Sequence, residues 1–339
     1  MSNALHAATL PATHLPSIPV LNVTAAFPED TLDAELPRAH ALLDLATKGV
    51  PARILRALDQ VSRKWLQRHA NVHLGEIDAI AAKLNRPGAY FLSVNYEWGC
   101  TCKVGPGADR TSAQLVRVLD WRTPGLGRNI IAARVECDIG PFIALTWPGY
   151  TGVLQAMAPG RFSGALNQAP MRRSGGGLMP LDWAMNKRRV WRTPHGTPAH
   201  LLRDVFEHAR TYADARHLLT VTPIASPAIF SLAGLRPQDS CVIERTEDVA
   251  HVHEGAGVAA NNWQAAGWQG RPRGNDSAGR ARMMAMVEAG FDERLPWLRA
   301  PILNDRTRLV MIADAKRGRI MAQGYEAGGM ATEVLDYVA

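Results

Sequence analysis

YEWGCTCK (Tyr96–Lys103) sets two of the chain's four cysteines one residue apart, after a glycine and ahead of a lysine. C-x-C is one residue short of a C-x-x-C redox pair, and no second close pair completes a zinc site. Cys100 and Cys102 therefore read either as two small buried hydrophobes of a strand or as a site with nucleophilic chemistry. The residues downstream of the pair bear on the choice. GPGADRTSA is rich in turn residues, and LVRVLDW (Leu115–Trp121) then reads as a strand, so the chain returns as a hairpin. Arg117 and Asp120 come 17 and 20 residues after Cys100, which suits a return to the cysteine's side. A guanidinium near a thiol favours the thiolate, whose unperturbed pKa is about 8.5. A carboxylate beside an arginine can hold an ammonium group.

The remaining sequence supplies a large globular frame. Of 339 residues, 47% are hydrophobic and 20% charged, enough for a packed core and unlike a disordered chain. The +7 net charge is spread out. Its densest run, NKRRVWR (Asn186–Arg192), has one tryptophan and reads as a solvated basic face, so no nucleic-acid partner is expected. No stretch reaches the roughly 20 apolar residues of a membrane span, and MSNALHAATLPATHLPSIPV lacks the pattern of a secretory signal. A cytoplasmic protein with reduced thiols and no stable membrane insertion is the resulting expectation.

Residues 1–27 read as a loose arm and residues 28–99 as a helical segment, carried by DTLDAELPRAHALLDLAT, PARILRALDQVSRKWLQRHA and LGEIDAIAAKL. From 100 to 339 the main body mixes strands and helices. AYFLSVNYEWG, just ahead of it, already reads as a strand. FIALTWPG, FSGALNQ, AIFSLAG, CVIERT and VHEGAGVAANN read the same way, and RLVMIADAKRGRIMAQGY reads as a hairpin turning at AKRG. Pro198–Leu219 and Ser277–Phe291 read as helices. An α+β body, layered αββα with the helical segment packed on it, fits this order. His69 and His73 share helix spacing without an acidic third ligand and read as surface histidines. His251 and His253 share a strand face, with no further ligands in view, so no metal and no cofactor are expected. SGGGL (Ser174–Leu178) and GPGADR lack the endings of phosphate loops.

In series, these segments resemble the N-terminal-nucleophile (Ntn) hydrolases of the choloylglycine hydrolase superfamily, in the acid ceramidase and N-acylethanolamine acid amidase branch. The resemblance runs through Tyr96-Glu97, Cys100-Thr101 and Arg117–Trp121. It continues through WPGYTGVLQAMAPGRFSGALNQ (Trp147–Gln168), TYADARHLLTVTPIASPAIFSLAG with CVIERT, and VAANNW. It implies a four-layer αββα Ntn sandwich and a precursor that cuts its own Gly99–Cys100 bond, keeping residues 28–99 as a small chain. The freed α-amine of Cys100 would serve as its base, on a small-molecule N-acyl amide whose acyl group is apolar or lipid-like.

By the same resemblance Asp120 would hold the α-ammonium, Arg117 tune the thiolate and contact substrate, and Asn262 stabilise the oxyanion, while Arg280, taken ahead of Arg282 in NDSAGRAR, would assist. Trp121, Tyr150, Asn167 and Gln168 would line the substrate site, with Gln168 standing where the branch has a glutamate. Spacing from Tyr96-Glu97 favours Cys102 as nucleophile, while GCT favours Cys100; Cys100 is preferred because a small hydroxyl residue follows it. An acyltransferase using the same thioester, an unprocessed binding homologue and an oligomer all remain open at this point.

Overall fold

Apolar runs long enough to be buried on both faces become strands here, and the computed structural model, which describes residues 14–94, 98–174 and 178–339, stacks them as two sheets. The chain opens with β1 (Val20–Val23) and five helices: α1 (Phe27–Ala34), α2 (Leu36–Ala46), α3 (Ala52–Arg68), α4 (Leu74–Leu84) and α5 (Ala89–Val94). A hairpin of β2 (Trp98–Pro106) and β3 (Ala113–Trp121) comes next. It leads into β4 (Ile131–Val135), β5 (Phe142–Thr146), β6 (Gln155–Ala158) and β7 (Phe162–Gln168). Three helices, α6 (Met179–Arg192), α7 (Pro198–His208) and α8 (Tyr212–Val221), separate these from β8 (Ala228–Ala233), β9 (Ser240–Arg245), β10 (Ala250–Glu254) and β11 (Gly257–Ala259). After α9 (Ser277–Ala285) the chain closes with β12 (Thr307–Asp314), β13 (Arg319–Glu326), β14 (Gly329–Met330) and β15 (Leu335–Val338).

One sheet runs β1-β4-β5-β6-β7-β8-β9-β10; the other runs β11-β2-β3-β12-β13-β14, with β15 also on β13. β2 and β3 lie against β7 and β8, so the two sheets face each other. On the outer face of the first sheet sit α7 and α8, and α9 covers β2 and β11 of the second. This is the expected αββα order. Phe206 of α7 shows why the first sheet reads as unbroken apolar runs: its ring meets Phe142 and Phe162 at 5.4 and 4.9 Å on the sheet's helix side.

Several expectations need correction. The arm expected over residues 1–27 is docked in its second half, where Val20–Val23 pairs in parallel with Ala132–Val135. AYFLSVNYEWG is not one strand: Ala89–Val94 forms α5, which packs against α3 and α4, so tertiary contact overrides strand propensity. The stretch Pro198–Leu219 is two helices, because Thr211 and Asp214 build a capping box that starts α8 afresh. The stretch expected to be helical to Phe291 ends at Ala285. The basic run lies on a full helix, α6. His69 closes α3 and His73 precedes α4, so they share no helix, and His73 is buried. Tyr96-Glu97 and Gly175–Gly177 of SGGGL lie outside the described residues.

The helical segment is fastened to the body by polar contacts as well as apolar ones. Phe27 is fully buried, edge-on to Phe142, beneath the guanidinium of Arg203. That same guanidinium donates to both oxygens of Glu76 in α4, at 2.6 and 2.9 Å. Burial pushes the Glu76 carboxyl up, but hydrogen bonds from His73 and Arg203 outweigh it and hold its pKa at about 2, below the usual 4.5. A depressed carboxylate pKa stabilises the fold above 4.5, and that contribution is lost as pH falls toward 2. Glu76→Gln should therefore lose about 2–3 kcal/mol at neutral pH, with a flatter acid limb when urea midpoints are followed from pH 7 to pH 2.5.

Candidate active site

The β2–β3 register sets the site. Cys102 pairs with Arg117, Cys100 with Leu119 and Gly99 with Asp120. Side chains alternate across a strand, so Cys100, Cys102 and Arg117 point between the sheets. Thr101 and Asp120 point outward, beneath α9. Both cysteines and Arg117 are completely buried.

Arg117 divides its fork between them. Nη2 donates to Cys100 Sγ at 3.1 Å and to the Leu166 carbonyl at 2.9 Å. Nη1 donates to Asn167 Oδ1 at 2.9 Å and lies 3.4 Å from Cys102 Sγ. The two thiols are not equivalent. Cys102 donates its S–H to Asn167 Oδ1 at 3.1 Å, and its backbone is paired on both sides, with Arg117 of β3 and Ala259 of β11. Cys100 lies beyond the end of β11, where a side chain replaces the missing strand: its N–H donates to Asn261 Oδ1 at 2.7 Å. Burial pushes the Cys100 thiol up to about 12, against the pull of Arg117. In the intact chain the thiol is therefore protonated at neutral pH.

On the outer face Arg280 gathers the backbone around Cys100. Nη1 donates to the Cys100 carbonyl at 2.8 Å and to Thr101 Oγ1 at 2.7 Å, and Nη2 donates to Asn261 Oδ1 at 3.1 Å. Asp120 Oδ2 stands 3.4 Å from Nη1. Thr307 and Asn304 donate to the Asp120 carboxylate at 3.0 Å each. Burial raises the pKa of Asp120, and Arg280 opposes the rise. The close approach depends on two glycines: a Cβ on Gly99 would lie 3.3 Å from Gly274 Cα, and one on Gly274 would lie 2.8 Å from Arg280 Nη2.

Gly99 and Asp120 line a cavity of about 300 Å³, together with Trp98, Trp121 and Gln168. A second cavity of about 290 Å³, lined by Leu42, Leu84, Trp147 and Tyr150, lies between the helical segment and the body. Trp121 borders both. Its ring stacks on Trp98 at 5.1 Å and meets Trp147 edge-on at 5.8 Å.

The structure thus brings Cys100, Arg117, Asp120, Asn167 and Arg280 together. Gln168 holds the Trp98 N–H through Oε1 at 3.0 Å, while Tyr150 stands in the apolar cavity. Asn262 is not at Cys100: its Oδ1 accepts from Ser277 Oγ at 2.9 Å, and it borders a separate outer cavity. Asn261, one residue earlier, turns inward to Cys100 and donates to the Gln168 carbonyl at 2.7 Å. The doubled asparagine of VAANNW was the available signal; which of the two turns inward depends on where β11 stops. No group of three or more potential metal ligands occurs among the described residues.

No protein-family model matches the chain. Acid ceramidase of Homo sapiens is 38% identical over 105 residues, 31% of this chain and 25% of that protein; the Macaca fascicularis enzyme is 36% identical over the same shares. The chain thus matches only about a quarter of the length of these relatives. Among solved structures, a Caenorhabditis elegans ortholog of N-acylethanolamine-hydrolyzing acid amidase superposes with a TM-score of 0.50 at 21% identity, covering 70% of this chain and all of that one. The fold is the αββα sandwich shared with that acid amidase ortholog. Within it, a stretch of 105 residues is similar in sequence to acid ceramidase.

Arg280→Met would leave the buried Asp120 carboxylate without its cation and Asn261 Oδ1 with a single donor. Breaking a buried pair on one side costs about 3–5 kcal/mol. Urea unfolding at pH 7 should show a loss of this size, with Arg280→Lys recovering only part of it.

Proposed function

We propose that this chain is a self-processing cysteine amidase that hydrolyses the C–N bond of an N-acyl amide through a thioester. One observation carries the proposal: Cys100 directly follows Gly99 at a cavity wall, with Sγ bonded by Arg117 and its own N–H held by Asn261.

In the first step, Cys100 Sγ attacks the Gly99 carbonyl carbon and the thiol proton passes to the Cys100 nitrogen. The peptide C–N bond breaks and a thioester joins Gly99 to Sγ. Water then hydrolyses it, leaving a Gly99 carboxylate, a free thiol and a free α-amine on Cys100. That amine has an unperturbed pKa of about 7.7–8.0, far better matched to neutral pH than the buried thiol. It forms where Asn261 Oδ1 already stands 2.7 Å from the same nitrogen. Arg280 fixes that oxygen and the Cys100 carbonyl, and Asp120 balances the positive charge through Arg280.

For an external amide the sequence repeats. Sγ attacks the substrate carbonyl, the thiol proton reaches the leaving amine through the α-amine, and water releases the acid. The apolar cavity beside Trp121 suits the acyl chain. The part of the chain ahead of Cys100 would remain bound as the small chain, through Phe27 and the Glu76–Arg203 pair.

Asn261 takes the position at Cys100 that was expected of Asn262. With a series of fluorogenic acyl amides, Asn261→Ala should lower kcat about 10²-fold, the scale for misplacing a reacting group, and Asn262→Ala by less than about tenfold. The reverse order would return the role to Asn262; no hydrolysis by the native chain of any member of the series would remove the amidase reading. Cys102→Ala should keep activity within about tenfold, since its thiol is committed to Asn167. Loss matching that of Cys100→Ala would transfer the nucleophile to Cys102.

A further inference from the structure

The cavity beside Gly99 is unusually cationic. Four arginines line it, Arg122, Arg271, Arg273 and Arg306, against one carboxylate, Asp120, whose charge already faces Arg280. Two of the four are engaged with the protein: Arg271 lies 3.6 Å from Asp182, and Arg273 Nε donates to the Ala169 carbonyl at 3.0 Å. Arg122 and Arg306 differ. Neither guanidinium has a hydrogen bond or ion pair among the described residues. They leave from adjacent strand ends, since the Trp121 N–H donates to the Arg306 carbonyl at 2.7 Å. Two cations on the wall of one concave site repel one another, and an anion between them removes that cost.

We infer that this cavity binds a carboxylate on the amine side of the substrate, so that the chain acts on N-acyl amino acids. The assignment rests on the amidase reading above and adds the leaving group to it. The two cavities meet at Trp121, one apolar and one arginine-lined, with the Gly99–Cys100 bond against the arginine-lined one. An acyl chain in the first places the amine half in the second. A neutral amino alcohol would leave Arg122 and Arg306 without a counter-charge; an amino acid supplies one, and its planar carboxylate suits the guanidinium fork. Self-cleavage also creates a carboxylate in this cavity, that of Gly99, so the test must separate the two sources.

Processed enzyme should be assayed on N-dodecanoylglycine and on N-dodecanoylglycinamide, which differ only in the charged group. The expected result is kcat/KM at least tenfold higher for the acid, a ratio that shrinks with added salt. The ratio should fall at least tenfold in Arg122→Gln/Arg306→Gln and hold in Arg188→Gln, an exposed site elsewhere on the surface. Equal rates for acid and amide, or a preference that survives the double substitution, would overturn the inference and leave the amidase reading intact.

In parallel, uncleaved Cys100→Ala protein, which has no Gly99 carboxylate, should be titrated calorimetrically with N-acetylglycine and N-acetylglycinamide. Binding of the acid alone supports the site even if no amide is hydrolysed; heat from neither overturns it. Acid binding by uncleaved protein, without preference in the processed enzyme, would assign the site to Gly99 and overturn the substrate assignment.

Discussion

A guanidinium carried into the space between two apolar sheets must find acceptors there, and Arg117 finds them in the parts of the site. Its Nη atoms reach Cys100 Sγ, Asn167 Oδ1 and the Leu166 carbonyl, while Nε has no partner among the described residues. Losing this residue would empty the centre of the sandwich and leave two thiols and a carboxamide without their common donor. The charge is tolerated in the dry core because the β2–β3 register delivers it directly opposite Cys102 and one pleat from Cys100. A one-residue slip would turn Arg117 to the outer face and bring Val116 or Val118 inward. Register, site and core are thus one constraint.

The two faces of β2 divide the work. Toward the inner sheet gap, Arg117 and Asn167 hold the sulfur atoms. Toward α9, Arg280 and Asn261 hold the backbone of Cys100, and Asp120 supplies the opposing charge. Gly99 and Gly274 let these layers close to distances that a methyl group would obstruct. Burial raises the Cys100 thiol pKa, so the intact chain holds this sulfur in its protonated form. In the proposed cycle, a base appears only when the chain ahead of the cysteine has been cut.

Much of this was legible in the sequence because it is local or periodic. The β2–β3 hairpin followed from GPGADRTSA and the apolar run after it. The β12–β13 hairpin followed from AKRG, and the shared face of His251 and His253 from strand alternation, with their rings 4.5 Å apart. Arg117 and Asp120 were suggested by their spacing from Cys100 together with the family resemblance. What could not be read depends on contacts distant in sequence. Ala89–Val94 is helical because α3 and α4 pack against it. His73 is buried because α7 covers it with His200, their rings 4.4 Å apart. Asn261 rather than Asn262 meets Cys100 because β11 ends at Ala259, a boundary set by pairing with β2. The cationic cavity was equally hidden, since its arginines come from three separate stretches of the chain and meet only around Gly99.

The proposed chemistry turns on one bond, Gly99–Cys100. Intact-mass spectrometry of the purified protein, with N-terminal sequencing of each chain, tests it directly. Two chains are predicted, the larger starting at Cys100, while Cys100→Ala stays whole. A native chain that remains uncut, or a Cys100→Ala chain cut at the same bond, would contradict self-processing by this cysteine.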